Sequence, residues 1–102
     1  MVPPDLLAKV IAYYDPVKVI LFGSQARGSG GPDSDLDLMI LVDDDTPKEK
    51  LSWRGLTEAR RGYREPVDLL ACPVSEFRAR ARIAGSFAHT IKAEGIVVYE
   101  RR

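Results

Sequence analysis

The chain has 102 residues, and Lys+Arg and Asp+Glu both number 15, so its formal net charge is zero. This balance does not support an overall electrostatic attraction to nucleic acid or to an anionic membrane, and direct nucleic-acid binding is not expected. Hydrophobic residues make up 45%, which is enough for one folded domain over residues 1–102. One cysteine and one histidine exclude a zinc site built from several such ligands.

The expected location follows from what the sequence lacks. No apolar run approaches the roughly 20 residues that a membrane-spanning helix needs. The first residues, Met-Val-Pro-Pro-Asp, have neither the basic nor the apolar part of a secretion signal. A lone cysteine, Cys72, also fits a reducing compartment. We therefore expect a cytoplasmic protein without a membrane partner.

Hydrophobic periodicity and turn residues divide the chain into alternating helices and strands. The predicted order is helix 4–14, strand 17–22, a short helical turn capped by Ser24, loop 28–34, strand 35–42, helix 48–64, strand 67–72, a helix from Ser75 that breaks at Gly85, a helix capped by Ser86 that runs to Glu94 and stops at Gly95, and strand 96–99. This order predicts a mixed α/β fold in which helices pack on a small sheet.

The first candidate for chemistry is Gly23-Ser24, directly after a predicted buried strand. A glycine lets a ligand approach the backbone closely, and the N–H groups at the start of a helix attract anions. The serine hydroxyl adds a donor. The pair is therefore a candidate phosphate cradle. Alone, it is more typical of an ordinary strand-to-helix turn with a capping serine.

The second candidate is Asp35-Leu36-Asp37 at the start of a strand. Residues two apart on a strand point the same way, so the two carboxylates project from one face while Leu36 points to the core. Like charges this close are costly unless a cation neutralises them, and hard oxygen ligands suit Mg²⁺. The alternative is a polar strand end in solvent.

The third candidate is Asp68, a carboxylate inside the apolar strand Val67–Cys72. Charged side chains are rarely buried without a partner. One interpretation pairs Asp68 with Arg27 or Arg64. The other places it beside Asp35 and Asp37 on a neighbouring strand, where three carboxylates would hold two cations for an in-line phosphoryl displacement.

Together these segments resemble a known family. Gly23-Ser24-Gln25-Ala26-Arg27-Gly28, a short loop, and Ser34-Asp35-Leu36-Asp37-Leu38 reproduce the pattern G-S-x-A-R-G…S-D-x-D-L. This pattern is similar to that of the minimal nucleotidyltransferases, in the DNA polymerase β-like nucleotidyltransferase superfamily. The joint pattern is far more specific than any one of its parts. The resemblance extends over nearly the whole chain and implies the polymerase β-like nucleotidyltransferase core.

The resemblance also implies roles for single residues. Gly23 and Ser24 would bind the β- and γ-phosphates of a nucleoside triphosphate, most readily ATP. Asp35 and Asp37 would bind two Mg²⁺ ions, and Asp68 would hold the catalytic ion and accept the proton of the attacking hydroxyl. Arg27 would contact the triphosphate, although it could equally pair with a carboxylate.

For the acceptor, the sequence offers only the resemblance. Short relatives are often antitoxins that transfer AMP to a tyrosine of a partner toxin with the HEPN fold, and this is the function we expect. Two alternatives stay open: a partner-binding antitoxin without catalysis, and a transferase acting on a small molecule such as an aminoglycoside. For the latter, a homodimer would be one way to supply an acceptor site.

Surface residues add two further predictions. Trp53 lies about 200° around its helix from Leu51, at about 100° per residue, so it should be exposed unless the helix is rotated about its axis or another segment covers it. Exposed tryptophans often anchor interfaces. Two arginine groups, one over 60–64 and one over 78–82, are typical of solvated faces, but they would also suit RNA, an acidic partner or a triphosphate.

Overall fold

The computed structural model of the chain describes residues 2–28 and 35–102. Its elements, in chain order, are α1 (Pro4–Tyr14), β1 (Lys18–Phe22), α2 (Gly23–Arg27), β2 (Leu36–Val42), α3 (Lys48–Leu51), α4 (Trp53–Ala59), β3 (Val67–Pro73), α5 (Val74–Ala81), α6 (Phe87–Glu94) and β4 (Ile96–Glu100). The predicted loop is described only at Gly28. Its remaining positions, 29–34, lie outside the described residues.

The strands of the described chain form one mixed sheet in the order β3-β2-β1-β4. β1 pairs antiparallel with β2 and with β4, whereas β2 and β3 run parallel. The predicted mixed α/β class is confirmed. Because β2 and β3 are parallel and in register, the start of β2 lies beside the start of β3, with Asp37 opposite Asp68.

Alternating side chains of β2 pack into separate cores on the two faces of the sheet. Leu38 and Ile40 are fully buried in the larger core, which includes Leu6 and Val10 of α1. The smaller core lies on the other face and consists of Ile20, Met39, Leu41, Phe77, Ala81, Ala88 and Ile91. Burying an apolar side chain stabilises a fold by about 1.5–3 kcal/mol, so these cores hold the face that carries Asp37 in place.

The prediction of one continuous helix over 48–64 is wrong. The chain forms two short helices, α3 and α4, which are separated at Ser52. The Ser52 side chain caps α4 by accepting a hydrogen bond from the Gly55 N–H, at 3.3 Å. A Cβ atom at Gly55 would overlap the carbonyl oxygens of Glu49 and Lys50, so the glycine allows the two short helices to meet closely. The break therefore has a steric cause that helical periodicity does not report.

Helix α4 ends at Ala59, and the Arg60 side chain contacts carbonyl groups of the segment that follows. Its guanidinium donates to the carbonyl oxygens of Tyr63, Glu65 and Val67, at 3.3, 3.0 and 2.9 Å. These hydrogen bonds hold a turn in place of the last predicted helical residues and guide the chain into β3. Arg60 is therefore a structural residue of the first arginine group.

The predicted ends of α6 are confirmed. Ser86 accepts a hydrogen bond from the His89 N–H at 3.0 Å, and α6 ends before Gly95. Gly95 has an extended backbone, with φ −75°, and a Cβ there would overlap the Ile20 side chain. The glycine is thus required for close packing against β1. In the described part of the chain, no helix is long and apolar enough to cross a membrane.

Candidate active site

The turn after β1 begins the candidate site. α2 starts at Gly23, whose φ of +76° suits a glycine, and the preceding Phe22 occupies the cap position without a side-chain hydrogen bond. The prediction that Ser24 caps this helix is therefore wrong: the chain turns at the left-handed Gly23, and the cap position lies two residues earlier, at Phe22. Ser24 lies inside the first turn of α2, next to Gly23.

Gly23 lies directly against Asp37. Phe22 and Asp37 are register partners of β1 and β2, so the turn that follows Phe22 passes beside the Asp37 carboxyl group. A Cβ atom at Gly23 would overlap Asp37 Oδ2 and lie 3.1 Å from its Cγ. The structure thus brings the candidate phosphate cradle and the Asp-x-Asp segment together, and only a residue without a side chain fits between them.

Asp37 and Asp68 form a carboxyl pair. They are register partners on parallel strands and project from the same face of the sheet. Partial burial raises the pKa of Asp37, and the charge of Asp68, a hydrogen bond with Asp68 and the charge of Asp35 raise it further, while Arg27 lowers it. A proton or a cation between the two carboxyl groups would relieve this repulsion.

Asp35 is more loosely associated with the pair. It precedes β2, is exposed, and acts on Asp37 through its charge. Within residues 2–28 and 35–102, no three Asp, Glu, His or Cys side chains form a compact group that could hold a metal ion. The structure therefore assembles two of the three predicted carboxylates and leaves the third nearby at the start of the strand.

Carboxylate oxygens around one point are the donor set that Mg²⁺ prefers. One further observation agrees with a cation here: besides partial burial, the negative charges of Asp68 and Asp35 raise the pKa of Asp37. The pair Asp37 and Asp68 fits a divalent cation on this ground, with the charge of Asp35 close enough to act on Asp37.

Arg27 ends α2 and contacts a carboxylate. Its Nη1 lies 3.7 Å from Glu94 Oε1 of α6, with both side chains about half exposed. Exposed pairs of this kind contribute only about 0–1 kcal/mol, so Arg27 can exchange Glu94 for another anion at little cost. Among the described residues, neither Arg27 nor Arg64 makes an ion pair with Asp68, and that interpretation is wrong.

An aromatic wall beside the turn was missed from the sequence. The rings of Phe22 and Phe87 meet edge to face, with centroids 5.5 Å apart. Together with Gly23, Arg27 and Thr90 they line a small cavity of about 150 Å³. The cap at Ser86 predicts where α6 begins, but nothing in the pattern predicts that Phe87 lies over the end of β1.

The other singled-out residues lie away from this site. Trp53 is 78% exposed, as expected, although the break at Ser52 places it and Leu51 on different helices, so the predicted angle between them does not explain the exposure. His89 is structural, because its Nδ1 lies 2.9 Å from the Ala81 carbonyl oxygen. Arg61 and Arg80 pair with Glu58 and Glu76 of their own segments, as expected of solvated faces.

The family assignment rests on comparison with known proteins. The protein-family model described as "Nucleotidyltransferase domain" matches residues 5–96 of the chain, and this range includes every candidate site residue. The chain belongs to this nucleotidyltransferase domain family, which confirms the resemblance seen in the sequence. No curated protein is significantly similar to the chain in sequence.

Two solved structures share the fold. A protein from Sulfolobus solfataricus, provisionally named a nucleotidyltransferase, superposes with a TM-score of 0.62 at 18% identity over 95% of this chain and 76% of that one. A toxin–antitoxin structure with AMP-PNP superposes with a TM-score of 0.57 at 19% identity over 99% of this chain and 76% of that one. At these identities the likeness establishes the architecture.

Proposed function

We propose that this nucleotidyltransferase moves AMP from ATP, with Mg²⁺, to a hydroxyl group, and that the acceptor is a tyrosine of a partner toxin with the HEPN fold. In this proposal the chain acts as an antitoxin. The observation that carries the proposal is the Asp37–Asp68 carboxyl pair beside Gly23. Nucleotidyl transfer requires backbone donors that bind phosphate and carboxylates that bind a cation. The start of α2 at Gly23 suits the first task, and the Asp37–Asp68 pair suits the second.

Each site residue has a role in this proposal. Gly23 and Ser24 bind the outer phosphates of ATP at the start of α2, and Arg27 turns from Glu94 toward the triphosphate. Asp35, Asp37 and Asp68 hold Mg²⁺. When bound, Mg²⁺ neutralises these carboxylates and supplies positive charge to the reacting phosphate. Partial burial and the charges of Asp68 and Asp35 raise the pKa of Asp37, and a bound cation would offset the part that comes from these charges.

Transfer forms a bond between the acceptor oxygen and the α-phosphorus and breaks the bond from that phosphorus to the oxygen bridging it to the β-phosphate, so pyrophosphate leaves. The hydroxyl proton goes to a carboxylate oxygen of Asp68. Asp68 suits this role because it is exposed on the edge strand β3 and can be reached by an acceptor from solvent. Fixed donors at Gly23 and Ser24 meet the charge that develops on the leaving group.

The shape of the site supports a large acceptor. The Asp37–Asp68 pair lies at the outer edge of the sheet, and Leu70, on the same face of β3, is 37% exposed. The toxin–antitoxin structure with AMP-PNP, which shares this fold, supports a protein acceptor and an adenine nucleotide. We therefore favour a tyrosine on a partner protein over a small molecule.

The test is incubation of the chain with ATP labelled at the α-phosphate, Mg²⁺ and the protein encoded by the adjacent gene. We expect label on a tyrosine of that protein, and none after chelation of Mg²⁺. Asp37→Asn and Asp68→Asn should each lower the rate by about 100-fold or more, because each removes a charge that binds the reacting groups. Asp45→Asn, an exposed carboxylate outside the site, is the matched control.

Other outcomes would identify other functions. If Asp37→Asn/Asp68→Asn neutralises the partner as well as the parent does, the chain acts by binding alone. If label enters small molecules and no protein, the acceptor is a small molecule. Equal rates for the parent and the Asp68→Asn variant would contradict the proposed site.

A further inference from the structure

A second cavity lies between the sheet and the helices α5 and α6, away from the Asp37–Asp68 pair. It has a volume of about 330 Å³, and Ile20, Leu41 and Phe77 are among the side chains that line it. Leu41 is four residues beyond Asp37 on β2, which corresponds to about 13 Å along the strand. The cavity is large enough for one or two apolar side chains and lies near the lower limit of ligand sites.

Cationic side chains line this cavity together with the apolar ones. Lys18, Arg78 and Lys92 belong to β1, α5 and α6, and Glu100 is the only acidic residue among the described residues of the lining. Across the described parts of the chain, neither Arg78 nor Lys92 has a carboxylate within 4.0 Å. The Lys18–Glu100 contact is long, at 3.7 Å. The cavity thus combines an apolar interior with unneutralised positive charge.

The edge strand β4 borders the same cavity. β4 is the last strand of the sheet, and no other described strand pairs with its outer edge. Ile96 and Val97 are 48% and 49% exposed, and Val97 also lines the cavity. An open apolar edge can accept a further strand, and pockets beside such an edge select the side chains of the strand that is added.

We propose that this groove, formed by the cavity and the β4 edge, binds an extended segment of a partner protein in which an apolar side chain stands between carboxylates. The segment adds to β4 by backbone hydrogen bonds and inserts its apolar side chain over Phe77. Its carboxylates meet Arg78 and Lys92. This inference is independent of the transfer reaction, because it uses none of the residues of the Asp37–Asp68 site.

Charge decides between a foreign segment and a second copy of the chain. A symmetric pair would bring the same surface of two copies together. Each copy would then place its Lys18, Arg78 and Lys92 near those of the other, and like charges brought together oppose binding. An acidic segment neutralises them instead.

The experiment is a selection of short random displayed peptides against the full chain. We expect the retained peptides to carry an apolar residue flanked by Asp or Glu. The retained peptides should bind Arg78→Glu/Lys92→Glu at least about tenfold more weakly, since two exposed attractions become repulsions. Arg64→Glu/Arg82→Glu, which changes two exposed arginines outside the cavity, should bind as the parent does.

Two measurements on the parent keep the test independent of the folding of any variant. Added NaCl should weaken binding of the retained peptides, and methylating alternate backbone nitrogens of the peptide should abolish it, because strand addition needs those N–H groups. The proposal is overturned if no peptide is retained, if acidic residues are not enriched, or if Arg78→Glu/Lys92→Glu binds like the parent. It is also overturned if the chain dimerises and Val97→Asp separates the dimer, because β4 would then bind a second copy.

Discussion

Gly23 and Asp37 are packed so closely that the absence of a side chain at position 23 is a condition for the carboxyl group to occupy its place. The contact arises because Phe22 and Asp37 are register partners, so the first residue after β1 must turn away beside β2. A backbone φ of +76° at Gly23 makes this turn. The geometry of the candidate site therefore depends on a glycine that has no chemistry of its own.

The first prediction concerns Gly23→Ala. We expect transfer activity to fall by about 100-fold or more, because the new methyl group displaces Asp37, and a shift of about 1 Å in a reacting group has an effect of that size. The matched control is Gly28→Ala. Gly28 has a similar φ of +73°, but a Cβ there meets no described atom within 4 Å.

Both alanines should destabilise the fold by about 1–2 kcal/mol through left-handed backbone strain, measured by urea denaturation. Activity should separate them, with Gly28→Ala retaining most of the parent rate. Equal loss of activity in the two variants would show that backbone strain, and not the contact with Asp37, governs the site.

The second prediction concerns stability and pH at Asp37. Because the folded-state pKa of this carboxyl lies above its ordinary value of 3.8, its contribution to stability is fully present below that value and is lost as pH rises through the folded pKa. At pH 7 the ionised side chain is partly buried and faces the charges of Asp68 and Asp35, and both effects oppose folding. We therefore expect Asp37→Asn to raise the urea midpoint at pH 7 while abolishing transfer.

The gain in stability from Asp37→Asn should shrink as pH falls and become small below about 3.8, where the parent side chain becomes protonated in both the folded and the unfolded chain. Asp45→Asn, at an exposed turn, is the control and should show no comparable gain. With saturating Mg²⁺ and a non-hydrolysable ATP analogue, the parent should become more stable than Asp37→Asn. Ligand binding stabilises the folded chain, and only the parent keeps all the carboxylates that bind Mg²⁺. If Asp37→Asn were less stable than the parent at pH 7 without Mg²⁺, the ionised Asp37 carboxylate would not destabilise the fold as argued.

The third prediction concerns Arg101, which ties the end of the chain to β2. Its guanidinium donates to both carboxylate oxygens of Asp43, at 3.1 and 2.8 Å, and to the Asp15 carbonyl oxygen at 2.9 Å. This hydrogen-bonded pairing with Arg101 lowers the pKa of Asp43. The resulting stabilisation is present above the ordinary value of 3.8 and is lost as pH falls through the lower folded value, the opposite sign to Asp37.

We therefore expect Asp43→Asn and Arg101→Ala to destabilise the fold at pH 7 and to approach the parent as pH falls below about 3.8. Arg102→Ala removes a neighbouring exposed arginine and should leave the pH profile unchanged. Thermal denaturation across this pH range is the measurement. If the difference between Asp43→Asn and the parent grew on acidification, the sign argued for this pair would be wrong.

Much of the fold could be predicted because its strands are dominated by burial. β1 and β2 differ from their predicted bounds by one residue at their start, since apolar runs report directly which residues the sheet covers. The division at Ser52 could not be predicted, because it depends on the space that Gly55 leaves for two carbonyl oxygens. The Arg101–Asp43 contact joins residues 58 positions apart, and no local pattern reports such a pair.

The candidate site shows the same limit. Spacing on a strand predicts that Asp35 and Asp37 share a face, but the meeting of Asp37 with Asp68 depends on the parallel register of β2 and β3, which is a property of the assembled sheet. The resemblance supplied this relationship for Asp68. The edge-to-face contact of Phe22 with Phe87 depends on how α6 packs over the sheet, and neither spacing nor motif predicts it.

The last prediction concerns Trp53, which is the only tryptophan of the chain. Its side chain is 78% exposed at the start of α4, so Trp53→Ala should change the free energy of unfolding by no more than about 0.5 kcal/mol. Leu56, one turn further on, packs against the larger core, and Leu56→Ala should cost about 1–3 kcal/mol. Urea denaturation compares the two variants, and iodide should quench the parent's tryptophan emission almost as strongly in the folded chain as in the unfolded one. A Trp53→Ala variant as unstable as Leu56→Ala, or emission protected from iodide, would place the indole in a covered position.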